Sequence, residues 1–77
     1  MIKVLFFAQL KDDAGVEEAA VAANDWTVAQ LKEHISSNFG VNGLTSVMTA
    51  VNEEFADDET MLSDGDTVAF IPPVSGG

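Results

Sequence analysis

The sequence predicts an α+β roll, a small mixed sheet with one helix packed on one face. Three observations predict it: apolar alternation near both ends of the chain, one helix-spaced apolar stripe in its middle, and a length of only 77 residues. A chain that short buries only about 60% of its unfolded surface, so it has room for one core and no second lobe.

Residues 2 to 8, Ile-Lys-Val-Leu-Phe-Phe-Ala, are rich in β-branched and aromatic types and read as a strand. Alternation places Ile2, Val4 and Phe6 on one face and Lys3, Leu5 and Phe7 on the other, and Lys3 marks the second face as the solvated one. Residues 9 to 15 end in Asp12-Asp13-Ala14-Gly15 and read as a turn or a single helical turn. Residues 16 to 22 form a weaker second strand, and the two strands make a hairpin.

The clearest helix start is Thr27, whose side chain caps the helix while Gln30, three residues on, reaches back as in a capping box. Val28, Leu31, Ile35 and Phe39 then recur at helical spacing, and Gly40 provides the stop. The natural surface for this stripe is the sheet face that carries Val4 and Phe6. Trp26, just before the cap, staples the helix start or covers the core edge.

Residues 47 to 51 read as a third strand, followed by a polar turn at Asn52-Glu53 and a short apolar return at Phe55. Asp57-Asp58-Glu59 is an acidic loop and Ser63-Asp64-Gly65-Asp66 a strong turn signal. Residues 67 to 71 form the final strand, with Val68 and Phe70 on one face and Ala69 and Ile71 on the other. Pro72-Pro73 stops it, because proline cannot donate to a ladder. The domain therefore spans residues 1 to 71, with a flexible tail from 72 to 77.

Composition excludes several chemistries. With no cysteine the chain lacks disulfides, iron–sulfur clusters and thiolate zinc sites, and a lone His34, off the helix stripe, makes no metal site and no Ser/His/Asp arrangement. The net charge is −10, from 13 acids against 3 Lys and Arg. Phosphate repulsion argues against nucleic acid and anionic membrane as partners and favours a basic protein surface. The apolar run at residues 4 to 8 is too short for a secretory signal, and no stretch approaches a membrane span, so a soluble, cytoplasmic protein is expected. Glu53, Glu54, Asp57, Asp58 and Glu59 are too irregular for a calcium loop and read as a solvated face, with partner steering as the alternative.

The informative feature is the ending, Phe70-Ile71-Pro72-Pro73-Val74-Ser75-Gly76-Gly77. Two prolines stiffen the exit from the last strand, and at roughly 3.3 Å per residue the tail reaches about 20 Å beyond the domain. Two terminal glycines fit a narrow channel and leave a carboxylate unhindered. A carboxylate is a poor electrophile, so its use requires activation. The chain has no phosphate-binding glycine loop, which places that activation in a partner.

Read together, the opening Met1-Ile2-Lys3-Val4-Leu5-Phe6-Phe7-Ala8-Gln9, the middle Ala50-Val51-Asn52 and the ending from Leu62 through the double proline to Gly76-Gly77 resemble the MoaD-like sulfur carriers. These are small subunits of molybdopterin synthase within the ubiquitin-like β-grasp superfamily. The resemblance covers essentially the full length and implies a five-stranded β-grasp sheet holding the helix. It also implies that an E1-like enzyme, using ATP and Mg, adenylates the Gly77 carboxylate, which a sulfur-donating sulfurtransferase helps convert to a thiocarboxylate. The carrier then docks on the large synthase subunit, in a heterotetramer, and gives its sulfur to cyclic pyranopterin monophosphate. On this reading the chain is the non-catalytic, sulfur-donating subunit of a heteromeric sulfurtransferase and binds no cofactor itself. Gly77 alone has a chemical role, and Gly76 permits passage.

The docking surface follows from alternation, since Leu5 and Phe7, Ala69 and Ile71 face away from the helix on strands that the implied fold makes parallel neighbours. Phe55 extends this patch, and Pro72, Pro73, Val74 and Ser75 lead from it to the terminus. A thiazole-pathway sulfur carrier or a ubiquitin-like modifier shares the fold and the Gly-Gly end, but the Pro-Pro-Val-Ser-Gly-Gly ending favours the molybdopterin branch. An acyl carrier protein needs a helical bundle and an Asp-Ser-Leu serine, neither of which is present. A plain interaction domain is the remaining alternative.

Overall fold

A computed structural model describes residues 1–41 and 43–72. Five strands, β1 (Ile2–Phe6), β2 (Glu18–Val21), β3 (Met48–Val51), β4 (Glu54–Ala56) and β5 (Thr67–Ile71), form one sheet in the order β2-β1-β5-β3-β4. Two helices, α1 (Gln9–Ala14) and α2 (Val28–Phe39), and a 3-10 turn at Leu44–Ser46 complete the fold. The expected mixed sheet with one principal helix is observed.

β1 and β5 pair in parallel at the centre of the sheet, and the other three pairings are antiparallel. Alternation behaves as read: Ile2, Val4 and Phe6 are buried, as are Val68 and Phe70, while Lys3 is exposed. The stretch at residues 9 to 15 forms one short helix, α1, which connects the two strands of the first hairpin and buries Leu10 in the core. β2 is shorter than the sequence suggests, Glu18–Val21, although the Phe6 amide still donates to the Glu17 carbonyl just before it at 2.9 Å.

α2 begins as expected. The Thr27 hydroxyl accepts from the Gln30 amide at 3.2 Å, and Gln30 Oε1 accepts from the Thr27 amide at 2.8 Å. The next two amides are taken by the acidic loop: Val28 donates to the Thr60 carbonyl and Ala29 to that of Asp58, both at 3.0 Å. Gly40 ends the helix at φ 67°, a left-handed conformation that a side chain disfavours. Val28, Leu31 and Ile35 are fully buried against the sheet, each stabilising the fold by about 1.5–3 kcal/mol through burial. Phe39 is half-buried at the end of the stripe, its ring 5.8 Å from that of Phe6.

Trp26 packs on the edge of this core and meets the half-buried His34 ring edge-on at 5.3 Å. His34 is thus less exposed than its place off the stripe suggests, because Trp26 folds over it. Leu10, Val41 and Leu44 join the core from the connections and close its ends.

Candidate docking face and tail root

The face of the sheet away from α2 is built from cross-strand rows. Leu5 stands opposite Ala69, Ala69 opposite Ala50, and Ala50 opposite Phe55, so these four side chains share one face across four strands. The next row towards the end of β5 pairs Ile71 with Met48, and Phe7 follows the Phe6–Phe70 pair at the same end. Leu5, Phe7, Phe55, Ala69 and Ile71 line one shallow cavity of about 590 Å³. Phe55, expected to extend the patch from the short return strand, lies on this face. Its register opposite Ala50 places it with the others.

This face is apolar and uncovered among the described residues. Phe7 is 45% exposed and Phe55 72%, whereas Leu5, Ala69 and Ile71 are half-buried between their neighbours. Isolated apolar residues on a surface are ordinary, but a contiguous patch of this kind marks an interaction site. Met48, 47% exposed beside Ile71, belongs to it and was not among the expected residues. Its signal was parity with Ala50 on β3, which becomes readable only once the pairing of β3 with β5 is known.

Charge surrounds the patch. Lys3 lies 3.9 Å from Glu18 and Lys11 3.0 Å from Glu17, and the bond to Glu17 raises the Lys11 pKa above its ordinary value. Glu53 lines the opposite end of the cavity. The third cation, Lys32, meets Asp58 at 2.7 Å. Every lysine therefore sits against a carboxylate, and the surplus of acids carries the field of the surface.

Pro72, half-buried, follows β5 at the end of the sheet where Phe7 and Met48 stand. The expected tail residues Pro73, Val74, Ser75, Gly76 and Gly77 lie outside the described residues. Among the described residues no group of three His, Cys, Asp or Glu is placed to hold a metal ion, and no helix is long and apolar enough to cross a membrane.

Comparison with known proteins gives this geometry a family. The ThiS family profile matches residues 4–77. The chain is 41% identical to the molybdopterin synthase sulfur carrier subunit of Escherichia coli K12, with all of both chains covered. Among solved structures it is similar to a chain of the complex of subunits 1 and 2 of molybdopterin-converting factor from Helicobacter pylori, with 31% identity, a TM-score of 0.74, and 99% and 97% of the two chains covered. The small archaeal modifier protein 1 of Methanosarcina acetivorans, 23% identical with a TM-score of 0.81 over 99% and 95% of the chains, shares the fold. The expected β-grasp architecture is therefore observed, and the chain belongs to the ThiS family, similar along its whole length to molybdopterin synthase sulfur carrier subunits.

Proposed function

We propose that this chain is the sulfur carrier subunit of a molybdopterin synthase. The observation that carries the reading is the apolar face formed by Leu5, Phe7, Phe55, Ala69 and Ile71 at the root of the strand that leads into Pro72-Pro73-Val74-Ser75-Gly76-Gly77. Docking through that face sets the start of the tail against the partner, and the remaining residues are long enough to enter a buried active site.

On this reading an E1-like enzyme joins the Gly77 carboxylate to the AMP part of ATP, releasing pyrophosphate, with Mg as its own cofactor. A persulfide sulfur of a sulfurtransferase attacks the acyl adenylate and displaces AMP, and a thiol then cleaves the S–S bond, so that the terminus becomes a thiocarboxylate and the two partner thiols are left joined as a disulfide. The large synthase subunit receives the loaded tail, and the sulfur passes to cyclic pyranopterin monophosphate while water supplies the oxygen that returns the terminus to a carboxylate. The chain contributes no acid or base to these steps and binds no cofactor of its own. Gly76 and Gly77 supply a slender, unhindered end.

The test is to add one residue after Gly77, or to delete Gly77, and to follow both intact mass after incubation with the activating enzyme and molybdopterin formation. Folding should be unchanged and sulfur loading lost. An extended chain that still supports molybdopterin formation without being trimmed overturns the reading.

A further inference from the structure

The chain leaves β1 through a tight turn. The Leu10 amide donates to the Phe7 carbonyl at 3.1 Å, and Ala8 between them stands at φ 51° and ψ −128°. That is the first central position of a type II′ turn, which glycine normally occupies because an L side chain there crowds its own backbone. The fold needs the turn itself. It reverses the chain after Phe7, so that Leu10 enters the core and the Ala8 carbonyl accepts from the Lys11 amide at 3.1 Å as α1 begins. Glycine makes the same turn without the strain, so it is the methyl group of Ala8 that lacks a structural reason.

Nothing in the core offsets that strain. Ala8 is exposed and is not among the residues packed on the core. It lines instead an open groove of about 440 Å³, together with Leu5, Phe7, Lys11 and Glu17. Leu5 and Phe7 also line the docking cavity, so the groove continues the docking face past the end of β1. Its charges are already paired, Lys11 with Glu17 at 3.0 Å and Glu18 with Lys3 at 3.9 Å.

We propose that the large synthase subunit seats one apolar side chain in this groove, between the Phe7 ring and the Ala8 methyl group, and that the strained alanine is kept for this contact. Backbone strain of this kind gathers where a binding surface is formed in advance. A charged occupant has to displace one of the two ion pairs, whereas an apolar one takes the surfaces of Leu5, Phe7 and Ala8 out of water. The inference rests on the docking reading above and adds to it a residue whose loss helps the free protein and harms the complex.

Ala8→Gly and Phe7→Asp are compared with the parent chain in urea unfolding and in calorimetric titration with the large subunit. Ala8→Gly should unfold at a higher urea midpoint, because glycine relieves the turn, and should bind about fourfold more weakly, the share of one buried methyl group. A chain assembled by peptide ligation with D-alanine at position 8 separates contact from stiffness. D-alanine suits this turn and keeps it rigid but carries its methyl group elsewhere, so this chain should also bind about fourfold more weakly. Unchanged binding by Ala8→Gly while Phe7→Asp binds poorly overturns the Ala8 contact and leaves the docking face standing. Unchanged binding by folded Phe7→Asp removes the face and this contact with it. Parent-like binding by the D-alanine chain, or a lower urea midpoint for Ala8→Gly, assigns the residue to the turn alone and also overturns the proposal.

Discussion

The side chains of Asn52 and Asp66 lock the β3–β4 turn to the loop that precedes β5. Asn52 Nδ2 donates to Asp66 Oδ1 at 2.9 Å, while Asn52 Oδ1 accepts from the Thr67 amide at 3.0 Å. Asp66 Oδ2 accepts from the Ser63 amide at 2.8 Å, so one carboxylate joins two turns. Asn52 sits at φ 52°, and glycine keeps that conformation while removing both side-chain bonds. Asn52→Gly should therefore lose about 1–2 kcal/mol in urea unfolding, and no loss would show that the bonds contribute nothing net.

Asp66 also gives the fold an acid limit. The Ser63 amide first, and then Asn52, hold its carboxyl below the ordinary value of 3.8. In the unfolded chain the group titrates at that ordinary value, so its stabilisation is complete above it and disappears as the pH falls through the lowered folded value. Asp64 is lowered likewise, chiefly by its hydrogen bond from the Met1 amino group. Asp66→Asn should flatten the acid side of the stability–pH curve, measured as urea midpoints from neutral pH down through the carboxylate range. An unchanged slope would place the acid sensitivity elsewhere.

Glu53 occupies the second position of the two-residue turn between β3 and β4 at φ 70°. With Asn52 also at positive φ the turn is of type I′, where glycine is favoured at this second position. Glu53→Gly should raise stability by about 0.5–1 kcal/mol, seen as a higher urea midpoint with the same slope. A lower midpoint would mean that the Glu53 side chain does more for the turn than its backbone costs.

Phe7→Asp and Met48→Asp remove exposed apolar surface from the docking face and no core volume. Both proteins should keep the circular dichroism spectrum and unfolding midpoint of the parent. Each should weaken binding to the large synthase subunit, by about 2 kcal/mol or more for a hot spot, as read by titration calorimetry. Association should also slow as salt is raised, given the net charge of −10. A folded Phe7→Asp chain that binds with unchanged affinity rules the face out, and salt-insensitive association removes electrostatic steering while leaving the docking.

The parts of the fold legible in the sequence were those fixed by neighbours a few residues apart. Ile2, Val4 and Phe6 announce a strand and its inner face, and Thr27 with Gln30 announces a helix start, because both signals lie within one turn or one pleat. Met48 and the Asn52–Asp66 lock were not legible. Each depends on which strand lies beside which and in what register, and that is settled by closing the whole core. Phe55 shows the boundary well: its apolar character was plain, but its facing followed only from its place opposite Ala50.

β5 comes last among the strands in sequence yet lies at the centre of the sheet, between β1 and β3. In a growing chain β1 can pair with β2 and β3 with β4 before β5 is made, but no ladder bond joins these two strand pairs until β5 enters between them. The seam closes only when Thr67 can pair beside Lys3, after nearly the whole chain has emerged. An interrupted translation product lacks the middle of its sheet and stays open to proteases. Synthesis thus delivers the fold and the segment beyond Ile71 almost together, so that any molecule able to present the docking face is one whose translation has run past it.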